Sequence, residues 1–207
     1  LLINLNFSNL IAKKFFSKKI IKKYKSYAYT AILKHLKINN KIASQIFTRI
    51  GPLAFLPISD SETSIVYSIK NNANIKKENL VELINFHNSN YKIKKINKIS
   101  SFELFSTNLR SYYHKNILAF GELTHKIHPL AGQGFNMTIR DIKILLNIIN
   151  KKIDLGLPLD ITVNQEFEKK TKAKNLIFSN GIDFIYEFFN LDGELKNNFL
   201  TKSLRSI

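Results

Sequence analysis

The sequence predicts an α+β fold: an antiparallel β-sheet, then a short α/β segment, then a helical tail. Between residues 25 and 110, short runs rich in β-branched and aromatic residues alternate with two- or three-residue turns, which is typical of antiparallel strands. Residues 117–120 form a wholly apolar run, as in a strand that is buried on both faces of an α/β sheet. Beyond Asn136, apolar residues recur at helical spacing.

The first half of the chain is expected to contain one short helix and a series of strands. Residues 1–5 form the end of a buried strand, and either Ser8 or Asn9 caps a helix that runs through Phe16. Gly51-Pro52 and residues 59–61 are turn signals between the strands that follow. Four runs have strand character: 27–36, 42–50, 53–58 and 64–69.

The second half is expected to be more helical. Asn74 caps a helix that ends near His87, and residues 91–105 form a strand pair or one long bent strand. A helix from Asn136 to about residue 151 is ended by Gly156 and Pro158, and a last helical region covers about 162–189, with a break near Asn180-Gly181. On the first of these two helices one apolar stripe is predicted: Ile142, Leu145, Leu146, Ile149 and Ile153.

Composition limits the classes of protein to which the chain can belong. At 207 residues and 44% hydrophobic it can bury a substantial core, and no apolar run reaches the roughly 18 residues of a transmembrane helix. The absence of cysteine excludes disulfides and thiolate metal sites and fits a reducing cytoplasm. The only methionine is Met137, so we expect a truncated or processed chain.

The net charge of +17 has three readings: a solvated face, an anionic membrane surface and a nucleic acid, in that order of preference. Lysines occur in ones and twos along the whole chain, and the accompanying abundance of Asn and Ile indicates a compositional bias. We therefore expect no nucleic-acid partner. The densest basic cluster comprises Lys13, Lys14, Lys18, Lys19, Lys22, Lys23 and Lys25.

Residues 121–136 carry the chemical signal. Glu122 places a carboxylate after the buried strand, at the end of the sheet where α/β folds bind ligands. Gly132 and Gly134 allow the backbone to approach a flat or phosphorylated group, because neither has a Cβ. The helix that follows presents free N–H groups and the positive end of its dipole, which suits an anion or a ring that becomes anionic.

This segment resembles the second FAD motif of the flavin-dependent aromatic-ring hydroxylases. The sequence of residues 128–136, HPLAGQGFN, followed by Asp141, is similar to the motif of the ubiquinone-biosynthesis branch of that family. The resemblance extends to residues 51–57 (GPLAFLP) in a strand of the family's substrate sheet. It also takes in residues 64–68, 102–104 and 167–168. It implies a fold like that of para-hydroxybenzoate hydroxylase, of which this chain would be an incomplete, C-terminal portion.

The resemblance also implies domains and site residues. Residues 1–24 would end the first part of the FAD domain, 25–113 would form the substrate sheet, 114–155 would return to the FAD domain, and 156–207 would be a helical tail. Gly121 and Glu122 would lie at the ribityl chain, where the family has Asp in place of Glu122. Residues bordering the isoalloxazine ring would be Pro129, Gly132, Gln133, Gly134, Phe135 and Asn136.

The implied function is FAD-dependent hydroxylation of a polyprenylated phenol in ubiquinone biosynthesis, with NAD(P)H and O2. The expected location is the cytoplasm, at the periphery of the inner membrane, with other ubiquinone-biosynthesis proteins as partners. Two departures from the family count against autonomous FAD binding: no Gly-x-Gly-x-x-Gly occurs, and residues 5–8 lack the Asp-Gly pair. The alternative is a degenerate, non-catalytic basic module that binds an anionic membrane or a protein partner.

Several other residues have a functional and a structural interpretation. His125 and His128 have the spacing of two metal ligands, but a third ligand is not recognisable, so packing and hydrogen bonding are favoured and no metal is expected. Asp141 either takes part in the FAD site or only complements the helix dipole. Arg140 likewise either takes part in the site or faces solvent. Four aromatic residues of the tail are read as helix packing rather than substrate lining: Phe178, Phe184, Phe188 and Phe189.

Overall fold

The computed structural model describes residues 1–70 and 77–194. The helix cap predicted at Asn74 and the part of the tail beyond residue 194 lie outside that range. The helices are α1 (Leu10–Phe15), α2 (Lys77–His87), α3 (Gln133–Asp154) and α4 (Ile161–Glu194). The strands are β1 (Leu2–Asn4), β2 (Lys19–His35), β3 (Ser44–Thr48), β4 (Gly51–Ser59), β5 (Glu62–Lys70), β6 (Ile93–Ile96), β7 (Ser100–Leu109), β8 (Tyr113–His114), β9 (Ile117–Ala119) and β10 (His125–Lys126).

The first compact unit comprises Leu1–Lys23 and Phe105–Tyr186. Its sheet has the order β1-β9-β8, in which β1 is parallel and β8 antiparallel to β9. Leu118 and Ala119 of β9 are fully buried, as predicted for a strand inside an α/β sheet. Helices α1, α3 and α4 add to one core, whose buried members include Phe16, Leu145, Ile148, Val163 and Phe167.

The second unit comprises Tyr24–Leu104 and Glu187–Ile207. Its strands follow the order β2-β5-β4-β3, all antiparallel, and β6 pairs with β2. Helix α2 contributes Leu80 and Ile84 to a core that also buries Leu33, Leu53 and Tyr67, among others. Buried and half-buried positions alternate from Glu62 to Tyr67 of β5, as in an antiparallel strand with one face in the core, and Ser68 and Ile69 are buried as well.

The α+β fold class is confirmed by this arrangement. Of the two predicted helix caps, Ser8 and Asn9, the structure has Asn9, whose side chain accepts a hydrogen bond from the Ala12 N–H. The turn expected at Gly51-Pro52 lies at residues 49–50, and Gly51 and Pro52 are the first residues of β4. Three further details of the sequence-based expectation are wrong. Helix α3 begins at Gln133 rather than Asn136, because Gly132 in the left-handed conformation starts the helix there. Helix α4 continues through Asn180 and Gly181 without a break.

The third correction concerns the apolar residues of α3, which do not form one stripe. Leu145 is buried together with Met137 and Ile148, whereas Ile142 and Leu146 are exposed on another side of the helix. The helix is therefore apolar on two faces. The spacing of the apolar residues in the sequence did not distinguish these faces, so the prediction assigned them to a single stripe. Within the described residues, no helix combines the length and hydropathy needed to cross a membrane.

Candidate functional site

The segment that follows β9 makes a tight turn. Gly121 has φ +63°, which an L-residue with a Cβ rarely adopts, and it begins a short 3-10 turn. The Thr124 backbone N–H and hydroxyl both donate to the Gly121 carbonyl oxygen, at 3.0 Å and 2.7 Å. Because Leu123 and Thr124 are buried while Glu122 is exposed, the turn leaves the Glu122 carboxylate free to meet a ligand.

The start of α3 is open and has no side-chain cap. Gly132 occupies the N-cap position with φ +63°, and no atom would lie within 4 Å of a Cβ built on it. Phe135 in the first turn is 73% exposed, and Gly132 and Asn136 are exposed as well. The first-turn N–H groups of a helix have no partner within the helix, so this end offers donors and positive potential beside open space.

These features suit the flat ring of a flavin. Because Gly132 has no side chain and faces open space, a flat ring can approach its backbone closely. The N-terminus of α3 favours negative charge on a group bound there. All the residues that are predicted to border the ring are half-buried or exposed, from half-buried Pro129 to exposed Asn136. The residues present therefore fit the isoalloxazine part of FAD.

A buried polar network lies behind this loop. The His125 Nε2–H donates to Asp141 Oδ2 at 3.1 Å, and Asn175 of α4 donates to the same oxygen at 2.9 Å. Arg140 donates to Asp141 Oδ1 from Nη2 at 3.1 Å and also bonds to Asn175. Asn175 Nδ2 lies 3.4 Å from the Tyr112 hydroxyl. The network thus joins the loop strand β10, the helix α3 and the helix α4.

The charge of Asp141 is held inside the protein by these donors. Burial by itself raises the pKa of a carboxyl group, but hydrogen bonds from His125, Asn175 and Arg140 outweigh it and lower the pKa of Asp141 below its ordinary value. Asp141 is 1% exposed, so it is not the surface complement to the helix dipole that the sequence allowed. Asn175 and Tyr112, which complete the network, had no recognisable sequence signal because their partners are remote in the chain.

His128 has a different environment from His125. Its ring is fully buried and lies 4.2 Å, centroid to centroid, from the ring of Tyr186. Burial lowers its pKa from 6.5 to about 4. Among the described residues, no three His, Asp or Glu side chains form a group that could hold a metal ion.

The buried ring of His128 makes stability depend on pH. The unfolded chain takes up a proton near pH 6.5 and the folded chain only near pH 4, so stability is complete above about 6.5 and is lost as the pH falls towards 4. We expect a loss of about 2 kcal/mol between pH 7 and pH 5. Urea denaturation at both values tests this, with His128→Phe as the comparison. An equal loss in that variant would assign the effect to other groups.

Comparisons with known proteins agree with the motif. No protein-family model matches the chain. The 3-demethoxyubiquinol 3-hydroxylase of Escherichia coli (strain K12) is 28% identical over 153 residues, 70% of this chain and 39% of that protein. The mitochondrial ubiquinone biosynthesis monooxygenase COQ6 of Caenorhabditis elegans is 23% identical over 198 residues, 74% of this chain and 44% of that protein.

Among solved structures, pqsL of Pseudomonas aeruginosa, a probable FAD-dependent monooxygenase, has a TM-score of 0.70 at 14% identity, over 93% of this chain and 56% of that chain. This likeness establishes the fold. The chain spans less than half the length of the two curated relatives. The resemblance drawn from residues 121–141 is thereby confirmed: this chain is related to the FAD-dependent aromatic-ring hydroxylases of the ubiquinone-biosynthesis branch.

Proposed function

We propose that this chain is part of a flavoprotein hydroxylase that acts on a phenolic, polyprenylated precursor of ubiquinone, with NAD(P)H as reductant and O2 as co-substrate. The observation that supports it most is the open start of α3: Gly132 in the left-handed conformation, no side-chain cap, and exposed Phe135 and Asn136. Bound FAD would carry the electrons from NAD(P)H to O2 and supply the oxidising chemistry.

The chain's own residues would bind and orient the cofactor. Glu122, exposed after the Gly121 turn, would hold the ribityl chain. Pro129 and the residues 132–136 would border the ring, where the α3 N–H groups favour negative charge by about 0.3–1 kcal/mol for each such contact. The buried His125–Asp141 pair would keep the loop in place on α3.

We assign the expected domains accordingly. Residues 1–24 and 114–155 would belong to the FAD domain, residues 25–113 to the sheet that binds the substrate, and 156–207 to the helical tail. A lipophilic substrate is reached most readily at a membrane surface, so the proposal includes peripheral membrane contact. It also includes a complex with other ubiquinone-biosynthesis proteins, as the resemblance implies.

Complementation tests the function. The complete gene that encodes this chain would be expressed in an Escherichia coli strain that lacks 3-demethoxyubiquinol 3-hydroxylase, and quinones would be measured by mass spectrometry. We expect ubiquinone to reappear and its unhydroxylated precursor to decrease. If the protein is produced in folded form and the precursor pool is unchanged, the proposed activity is wrong.

The contact between Glu122 and FAD can be tested separately. Glu122→Ala in the complete protein should weaken FAD binding at least about tenfold, because a hydrogen bond to a charged group contributes roughly 1.5–3 kcal/mol. Quenching of flavin fluorescence measures the affinity. Glu103→Ala, which removes an exposed carboxylate from β7, is the matched control and should leave the affinity unchanged. Equal affinity for FAD in both variants would show that Glu122 does not contribute to FAD binding.

The basic-module alternative is favoured by one observation. Of the clustered lysines, Lys13, Lys14, Lys18, Lys19, Lys23 and Lys25 are exposed. Exposed cations bind an anionic membrane by a screened attraction, so this function predicts vesicle binding that weakens steeply with salt and does not respond to FAD. Flotation with phosphatidylserine vesicles at two salt concentrations, with and without FAD, discriminates between the two functions.

A further inference from the structure

A groove lies on the first unit where β8 meets the first half of α4. Its volume is about 470 Å³, which falls within the roughly 300–1,000 Å³ of small-molecule sites. Tyr113 of β8 lines it together with Lys169, Lys172, Ala173 and Leu176 of α4. None of the residues proposed to contact FAD lines it, so the cofactor does not account for the groove.

Spacing along α4 brings these side chains to one side of the helix. Lys172, Ala173 and Leu176 follow Lys169 by three, four and seven positions, which are separations between neighbours on a helix surface. Lys169 and Leu176 are therefore roughly 10 Å apart along the helix axis. The groove thus has a basic end at Lys169 and an apolar end at Leu176.

The core does not use the apolar end, because this stretch of α4 packs through polar side chains. Thr171, Asn175 and Ser179 are 0%, 0% and 1% exposed, whereas Leu176 and Ile177 are 40% and 72% exposed. A helix on a protein surface usually buries its apolar side and exposes its polar side, and this stretch reverses that arrangement. Leu176 is therefore available to a ligand in the groove.

The two lysines of the groove differ in their contacts. The Lys172 ammonium group donates to the Arg110 carbonyl oxygen and, at 3.1 Å, to Glu168 Oε1, so one of its three N–H donors is left. Lys169 is exposed, and within the described part of the chain its ammonium group forms no hydrogen bond or ion pair. The groove therefore offers unused donors on two positively charged groups.

Glu168 also lines the groove, and its carboxylate already has partners. Oε1 accepts from Lys172, and Oε2 accepts from the Tyr112 backbone N–H at 2.6 Å and from the Ser111 hydroxyl at 3.2 Å. Two ammonium groups and one carboxylate give the described lining a net charge of +1. That charge matches a ligand with a single negative charge.

We propose that the groove binds a small monocarboxylate whose apolar body is the size of an aromatic ring. Its carboxylate would accept charge-assisted hydrogen bonds from Lys169 and from the remaining donor of Lys172. Its body would lie against Ala173, Leu176 and the aromatic side chain of Tyr113, with which a ring can stack. A few polar groups beside an apolar lining are typical of small-molecule sites.

Other classes of ligand match the groove less well. A phosphate monoester carries a charge of about −1.5 to −2 at pH 7, so part of that charge would remain uncompensated beside Glu168. An amine would be repelled by Lys169 and Lys172. A neutral ring would leave the Lys169 ammonium group without a counter-charge.

Titration of para-fluorobenzoate, followed by fluorine NMR on the protein expressed from its complete gene, tests the proposal. Lys169→Met removes the charge at similar length and should weaken binding about tenfold, because a charge-assisted hydrogen bond is lost. Lys174→Met, on the same helix but outside the groove, is the matched control and should leave the affinity unchanged. The uncharged para-fluorobenzamide should bind at least about tenfold more weakly than the acid. Equal affinities of the two variants for the acid, or of the wild type for acid and amide, would overturn the proposal.

A variant that fills the groove gives an independent readout. Ala173 is exposed, so Ala173→Phe would occupy the groove without disturbing the core and should abolish binding. Ile177→Phe, at an exposed position outside the groove, should retain it, and thermal unfolding verifies that both variants are folded. Binding that persists in Ala173→Phe would lie elsewhere in the protein and would overturn the proposal. These measurements need neither flavin nor turnover, so their failure is distinguishable from failure of the proposed function.

Discussion

Replacing Asp141 with alanine is expected to lower the free energy of unfolding by about 2–6 kcal/mol, because two buried donors lose their acceptor and each unsatisfied donor costs about 1–3 kcal/mol. The carboxylate is 1% exposed and accepts hydrogen bonds from His125, Arg140 and Asn175. Without it, two side chains that are 2% and 0% exposed, His125 and Asn175, lose their acceptor. Urea denaturation followed by circular dichroism measures the change.

The matched control is Asp154→Ala, at the exposed end of the same helix, which should change stability by less than about 0.5 kcal/mol. The pH dependence gives a second check. Since folding lowers the pKa of Asp141, its contribution is present above about pH 4, the ordinary pKa of Asp, and is lost as the pH falls through the folded value. The difference between wild type and Asp141→Ala should therefore narrow below pH 4. A constant difference would mean that packing, not charge, is responsible.

Gly51→Ala is expected to destabilise the second unit by at least about 4 kcal/mol, a loss that point mutations seldom reach. Gly51 begins β4 with φ +141°, and a Cβ there would lie 1.9 Å from the carbonyl oxygen of Ser68 in β5. The Cβ is fixed to the backbone of β4 and the oxygen belongs to the backbone of β5, so neither atom can move without disturbing the pairing of the two strands. Thermal unfolding followed by circular dichroism would show the loss as a lower midpoint.

Gly181→Ala is the control for that experiment and should have the opposite sign. Gly181 lies inside the continuous helix α4, and apart from the helix's own nearby backbone no described atom lies within 4 Å of a Cβ built on it. Alanine is the better helix former by about 1 kcal/mol, so the variant should be more stable than the wild type. A destabilised Gly181→Ala would indicate that α4 is interrupted there, as the sequence alone had indicated.

The local elements could be predicted from the sequence because their causes are local. The Asn9 cap, the apolar strand β9 and the turns of the antiparallel sheet depend on residues within a few positions of one another. The same holds for the predicted strand–glycine–helix path of residues 117–136, which depends on an apolar run, two glycines and a helical periodicity. Errors arose where one glycine could either start or break a helix, as at Gly132 and Gly181.

By itself the sequence determined the α+β class, the order of strand, glycine, loop and helix over residues 117–136 and the family resemblance, since each depends on consecutive residues. Only the tertiary structure decided what Asp141 does and which face of α3 is covered. Asp141 on α3 accepts a hydrogen bond from Asn175 on α4, 34 positions later in the chain, and a pairing over such a separation leaves no recognisable pattern in the sequence. Periodicity shows that α3 is apolar but not what packs on it, because burial depends on the neighbouring layers that the fold brings together.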